Sequence, residues 1–310
     1  MSSIDMSKFM KSLVEKLESK GLSDNTIKVY LQRLYIINGK KKFTSLLFLR
    51  DSSSIINYLK ENLSPSTQKS YSGTIISVLK LKPTKWTEKV IPIYNSFISD
   101  EDIKEINQPK MSEKQKQNMI SVEEIKKIKD DLEKEASRIS RKPKLDNKKD
   151  YDILLRNLLL SFYTSIPPRR TSDFALMKFA NDKNENDDFN YFTDDDKLVF
   201  NNYKTKKTYG KQIIDISKNK QLLKDFRMYM KHRRPNPEDF LLVRWNGKNF
   251  NTINDVTREL NSIFGKNISA SMLRNIYVKD KYGEIKQGMI EDSEQMSHSV
   301  KTQQTHYNKD

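Results

Sequence analysis

The chain has 310 residues, 35% hydrophobic and 32% charged, with 57 lysines and arginines against 41 acids and a formal net charge of +16. That length sits where one core tends to divide into two domains, and the charge favours a polyanionic partner, nucleic acid before an anionic membrane. Cysteine is absent and histidine occurs only at 232, 298 and 306, which excludes disulfides, thiolate metal sites and cysteine nucleophiles and leaves no metal or other cofactor expected.

The N-terminal segment reads as helical. Met6, Phe9, Met10, Leu13, Val14 and Leu17 recur on one helix face, and Gly21 stands where that helix would stop. Ser23 reads as the N-cap of a second helix carrying Ile27, Tyr30, Leu31, Leu34 and Tyr35. A third helix is predicted through SSSIINYLKENL, and a fourth presents Tyr71, Thr74, Ile75, Val78 and Leu79 on one side. The stretches LSDNTIKVY (residues 22–30) and LSPSTQKSY (residues 63–71) share L-S-x-x-T-x-K-x-Y. The pattern suits two similarly capped helices. It equally suits two helix N-termini offering Thr26, Lys28, Thr67 and Lys69 to DNA phosphates.

A polar stretch, NQPKMSEKQKQNM, reads as a linker over 108–120 between a helical domain at 1–107 and a second domain at 121–310. Ser121 and Glu124 form a capping-box signature that opens the second domain. A lysine-rich loop then precedes the apolar helix YDILLRNLLLSFYTSI, which Pro167 and Pro168 end. The acid-rich stretch at 181–197 reads as a solvated turn. KLVFNNYKT and YGKQIIDIS, separated by a short polar turn, read as a β-hairpin. Helices are predicted around KQLLKDFRMYMKH, TINDVTRELNSIF, SASMLRNIYV and the terminal segment. The fold class is mainly α with a small sheet, an α+β chain. No apolar run reaches membrane-spanning length and MSSIDMSKFMKSL carries no signal-peptide core, so an intracellular protein with no membrane partner is expected.

Four elements then carry chemistry. In PPRRTSDFALM, Arg170 lies three residues before Asp173, which can brace its guanidinium, although Arg169 is an alternative. Lys204 is placed at the tip of the hairpin, with Lys206 and Lys207 beside it. Arg274 sits among Met272, Leu273 and Ile276, either half-buried with a partner or facing a ligand. The chain ends MSHSVKTQQTHYNKD, with His298 nine residues before Tyr307. Two arginines, a lysine, a histidine and a tyrosine suit metal-free attack on a phosphodiester. Guanidiniums clamp the charge that develops on the non-bridging oxygens, and a lysine can protonate the leaving oxygen. The tyrosine hydroxyl, with a free pKa of about 10, needs a base and a cationic pocket.

In that order and spacing, these boxes resemble the tyrosine recombinases (the phage-integrase family): Arg, Lys, His-x-x-Arg, His or Trp, then Tyr. The resemblance spans nearly the whole chain, and the PPRR and YKT forms are similar to the branch found in large DNA viruses and their satellites. It implies a helical core-binding domain of SAM-like type and a DNA breaking-rejoining catalytic domain, clamped around duplex DNA. It implies a site-specific recombinase or integrase that forms a 3′-phosphotyrosyl bond through Tyr307 without ATP or metal. Arg170 and Arg274 would hold the phosphate, Lys204 would protonate the 5′-oxygen and His298 would hydrogen-bond the phosphate. The implied partners are double-stranded DNA and further copies of the chain, as a tetramer on DNA.

The chain departs from the pattern at SMLR, where Ser271 stands in place of the usual histidine and cannot act as a base near neutral pH. Only Asn-Lys-Asp follows Tyr307, where many relatives have a further helix or strand, so the mode of assembly stays open. Two alternatives remain: a type IB topoisomerase-like relaxing enzyme, and a catalytically impaired DNA-binding relative.

Overall fold

A computed structural model describes residues 6–99, 113–180, 188–250 and 252–300, mainly helical with one four-stranded sheet. The chain divides into two compact units, Met1–Ser112 and Glu113–Asp310. Among the described residues, no helix is long and apolar enough to cross a membrane.

The first unit is built from α1 (Lys8–Ser19), α2 (Asp24–Ile37), a 3₁₀ turn at Leu47–Arg50, α3 (Ser52–Asn62), α4 (Pro65–Leu79) and α5 (Lys85–Ser99). Ser23 accepts from the Thr26 amide as predicted, and Ser7, for which no cap was predicted, accepts from the Met10 amide, each satisfying a donor the helix cannot use. Gly21 ends α1 at φ +72°, a backbone that costs glycine nothing. Leu13, Leu17, Leu34, Leu49, Leu59, Ile75, Leu79 and Tyr94 meet in the core. The Tyr94 hydroxyl donates to the Leu49 carbonyl at 2.9 Å, and burial, with Asp51 adding to it, pushes that phenol well up. Helix α5 had no sequence prediction. Pro92 lies inside it and removes the donor for the Glu88 carbonyl, a cost that burial of Val90, Tyr94 and Phe97 offsets.

The second unit begins earlier than the linker reading allows. Glu113–Gln117 forms a short helix, α6, where an aperiodic linker was predicted. Its Glu, Lys and Gln residues are good helix formers, and Lys116 pairs with Glu113 one turn away. Residues 108–112 of that stretch lie outside the described residues. Helix α7 (Val122–Ser140) opens on the predicted capping box, with Ser121 and Glu124 bonding each other's backbone amides. Helix α8 (Lys148–Thr164) is buried nearly all round and forms the centre of the unit, packed by α7 and by two later helices.

The sheet is larger than the predicted hairpin. Its order is β1 (Lys178–Ala180), β2 (Tyr191–Thr193), β3 (Lys197–Phe200) and β4 (Gln212–Asp215), the first pair parallel and the others antiparallel. Strand β2 lies inside the stretch read as a solvated turn, yet Asn190, Tyr191, Phe192 and Thr193 are all buried. The acids flank an aromatic core segment that pairs with β3 through a turn in which Asp196 takes φ +59°. Residues 181–187 of the acidic stretch lie outside the described residues. The hairpin between β3 and β4 also differs. Its strands end at Phe200 and resume at Gln212, and residues 201–211 form a loop holding a one-turn helix, α10 (Lys206–Tyr209). Helix α9 (Thr171–Ala175) precedes the sheet. Helices α11 (Lys220–Met230), α12 (Ile253–Phe264) and α13 (Ala270–Gln295) follow it. The last two segments predicted as separate helices form one 26-residue helix, α13.

Candidate active site

An aromatic column fixes the start of α9. Phe174, fully buried, stacks on Phe162 of α8 at 4.6 Å and meets Tyr163 and Phe200 edge-on at 5.7 and 6.0 Å. The rings hold residues 169–173 between the central helix and β3. Offset and edge-on aromatic pairs are directional, which suits a segment that must present side chains accurately.

The arginine bound to Asp173 is Arg169, and the predicted Arg170–Asp173 brace is corrected here. Arg169 Nε donates to Asp173 Oδ2 at 3.0 Å, and its Nη1 donates to Gln212 Oε1 at 2.8 Å. Its guanidinium lies 3.7 Å from the Phe200 ring centroid and 5.0 Å from that of Tyr203. Arg170 is the N-cap residue of α9, with φ −71° and ψ 152°. That extended backbone takes its side chain off the helical face on which an i,i+3 pair would form. Arg170 is half-buried; its carbonyl accepts from the Asp173 amide at 2.9 Å, and its side chain makes no hydrogen bond or ion pair among the described residues.

Arg274 lies in the second turn of α13, half-buried, also with no hydrogen bond or ion pair among the described residues. Its charge reaches the first box. Burial pushes the Tyr163 phenol well up, the Thr171 hydroxyl opposes the rise, Asp173 adds to it and Arg274 opposes it last. Ser271 is exposed near the start of α13, one turn before Arg274, on a helix whose N-cap Ser269 accepts from the Met272 amide.

Lys204 stands in the connection between the paired strands β3 and β4, which is longer than the short turn predicted. It lies in the 201–211 loop, exposed, with no hydrogen bond or ion pair among the described residues. The loop beneath it is tied down. Tyr203, its buried neighbour, donates to the Gly210 carbonyl at 2.7 Å. Buried Asn190 donates to the carbonyls of Asp173 and Asn202, each at 2.9 Å, and accepts from the Asn202 amide at 2.8 Å. Lys206 and Lys207 are in α10, just beyond.

His298 follows the end of α13, half-buried. Its amide donates to the Ser293 carbonyl at 3.0 Å, and its Nδ1 lies 3.2 Å from the Ser299 carbonyl. Tyr307 lies outside the described residues. In the first unit, the Thr26 and Thr67 hydroxyls lie 3.0 and 2.9 Å from the N-cap hydroxyls of Ser23 and Ser64, while Lys28 and Lys69 are exposed. The shared sequence pattern gives a shared Ser–Thr hydroxyl pair, but only Ser23 also accepts a backbone amide; Ser64 makes no side-chain cap bond. The two helices also touch: Arg33 of α2 donates to the Ser70 carbonyl and the Thr74 hydroxyl of α4, each at 2.9 Å.

Spacing left Arg169 as an alternative and missed Asn190, Tyr203 and Gln212. Each acts through partners up to 43 positions away, which no local pattern displays. Among the described residues, no group of three or more His, Asp or Glu side chains could hold a metal ion.

No family model matches the chain. No curated protein matches it either. A solved crystal structure of XerA recombinase is 15% identical, over 88% of this chain and 83% of that one, with a TM-score of 0.34. A likeness that loose carries no argument for chemistry.

Proposed function

We propose that this protein is a site-specific DNA recombinase of the tyrosine type, cutting and rejoining DNA through a 3′-phosphotyrosyl intermediate for integration or excision. One observation carries the reading. Four buried acids of this unit hold five of its cations, whereas Arg170, Lys204 and Arg274 have no acidic partner among the described residues. Cations organised by the fold and left without counter-ions are what a phosphodiester requires.

In this mechanism the Tyr307 hydroxyl attacks the scissile phosphorus and the bond to the 5′-oxygen breaks. Arg170 and Arg274 share the charge that grows on the non-bridging oxygens, and Lys204 gives its proton to the departing 5′-oxygen. His298 hydrogen-bonds the phosphate, and Ser271 offers a neutral hydroxyl where a base would otherwise stand. The new ester conserves the phosphodiester bond energy, so attack by a second DNA's 5′-hydroxyl completes exchange. Thr26, Lys28, Thr67, Lys69, Lys206 and Lys207 serve affinity by contacting the DNA backbone. Each phosphate neutralised contributes about 0.9 to the log–log salt slope. Several copies of the chain, four in the simplest scheme, act together on DNA.

The test is a pool of nicked duplexes of randomised sequence, incubated with the full chain and extracted in detergent. Covalent protein–DNA adducts are expected from wild type, with recovered sequences converging on a site, and none from Tyr307→Phe. Absence of adduct from wild type, or undiminished adduct from Tyr307→Phe, overturns the reading.

A further inference from the structure

The exposed lysine assigned to the leaving group has nothing of its own to locate it. Lys204 makes no bond among the described residues, so its position is set by the backbone of the 201–211 loop. The base of that loop is the register pair Phe200 and Gln212. Arg169 covers both members of this pair, stacking on the Phe200 ring and donating to the Gln212 side chain. The opposite edge of the same guanidinium is bonded to Asp173, which is 1% exposed. Its peptide neighbour is Arg170.

We propose that Arg169 is a positioning residue that sets the Lys204 ammonium relative to Arg170, by joining the start of α9 to the base of the lysine-bearing loop. The proposal rests on the recombinase reading and extends it to a residue that touches no phosphate. A planar fork is needed for the task. One edge must meet a carboxylate, another an amide oxygen, and the face must lie on a ring. A lysine at this position could satisfy only one of these. Asn190, bonded to both Asp173 and Asn202, is a second strap between the same two segments.

The consequence is chemical rather than merely structural. A misplaced Lys204 fails as an acid but leaves the arginine clamp working. A 5′-bridging phosphorothiolate exposes this difference, because its sulfur leaves as a thiolate and needs no proton. The experiment uses the full chain and a nicked duplex of the sequence recovered above, made with a 5′-bridging oxygen or sulfur.

On the oxygen substrate, Arg169→Lys and Gln212→Ala are expected to form adduct about tenfold to a hundredfold more slowly than wild type, with DNA affinity changed less than about twofold. On the sulfur substrate both should come within about threefold of wild type, as Lys204→Ala should. Gln212→Glu, which still accepts from Arg169, should recover the oxygen rate that Gln212→Ala loses. Equal deficits on both substrates overturn the assignment, because the defect would then lie in the clamp or the fold. If Arg169→Lys has lost its folded circular-dichroism signal, Gln212→Ala alone decides. Failure of wild type on both substrates removes the recombinase reading and this inference with it. A wild-type adduct with no sulfur rescue of either variant removes this inference alone.

Discussion

The two units bury different kinds of polar group. In the first, the buried polar side chains among the described residues are Ser52, Gln68, Ser72, Thr74 and Thr87, all uncharged. In the second they include Lys129, Asp150, Asp173, Asp225 and Asp255, and each acid holds a cation. Lys142 pairs with Asp150, Arg169 with Asp173, Lys129 with Asp225, and Arg244 and Arg258 with Asp255. Burying charge is costly unless it is paired, so an apolar interior is the simpler route to stability. The first unit takes that route. The second uses buried carboxylates as anchors that orient particular cations.

The sharpest way to break this contrast is to remove one anchor. Asp225 accepts from Lys129 at 2.7 Å, Asn157 at 2.7 Å, Ser161 at 2.5 Å and Gln221 at 3.1 Å. Asp225→Ala leaves the Lys129 ammonium with the Asn157 amide oxygen at 2.8 Å and, as its one remaining carboxylate among the described residues, Glu133 at 4.0 Å. The expected loss is about 3–5 kcal/mol in the second unit. Trp86 and Trp245 are the two tryptophans, so urea unfolding followed by fluorescence in a Trp86→Phe background reports this unit alone. The double change Lys129→Met with Asp225→Leu should recover most of the loss, because both charges go together. A loss below about 1 kcal/mol for Asp225→Ala would show that the pair is not an anchor.

Next in size are the cations without partners. Arg170→Ala and Arg274→Ala should leave the unfolding midpoint within about 0.5 kcal/mol of wild type, since neither breaks an ion pair among the described residues. Adduct formation should fall about a hundredfold to a thousandfold in each. Arg169→Ala should behave oppositely in the stability assay, because it strips buried Asp173 of its cation. If Arg170→Ala destabilises as much as Arg169→Ala, the division between held and available cations fails.

These neighbouring arginines also show what the sequence could and could not disclose. Local chemistry was legible: the Ser23 cap, the Ser121–Glu124 box, the Gly21 stop and the buried faces of α1 to α4 follow from residues within a few positions of one another. The Arg170–Asp173 spacing looked equally local, but it assumed both residues were helical. Arg170 is the N-cap, so the helical neighbour rule does not apply, and Arg169 takes the carboxylate with help from Phe200, Tyr203 and Gln212. Strand β2 was hidden for a related reason. A buried segment of four residues, Asn190 to Thr193, sat between runs of acid, and composition averaged over that window reads as solvent-exposed. Pro92 concealed α5 by the opposite error, since a real local cost was outweighed by tertiary burial. Of the proposed catalytic set, Tyr307 rests on sequence alone, because it lies outside the described residues.

The smallest expected effect carries the opposite sign and tests the first unit. Ser72 of α4 is fully buried, and its hydroxyl makes no hydrogen bond among the described residues. A hydroxyl removed from water without a partner is a net cost, whereas alanine is both apolar and the better helix former. Ser72→Ala should therefore stabilise the first unit by up to about 1 kcal/mol, read from Trp86 fluorescence in a Trp245→Phe background. If it destabilises instead, that hydroxyl has a partner in solution, and the first unit relies on buried polar pairing as the second does. The opposite signs of Ser72→Ala and Asp225→Ala are what an apolar interior and a charge-anchored one require of a single chain.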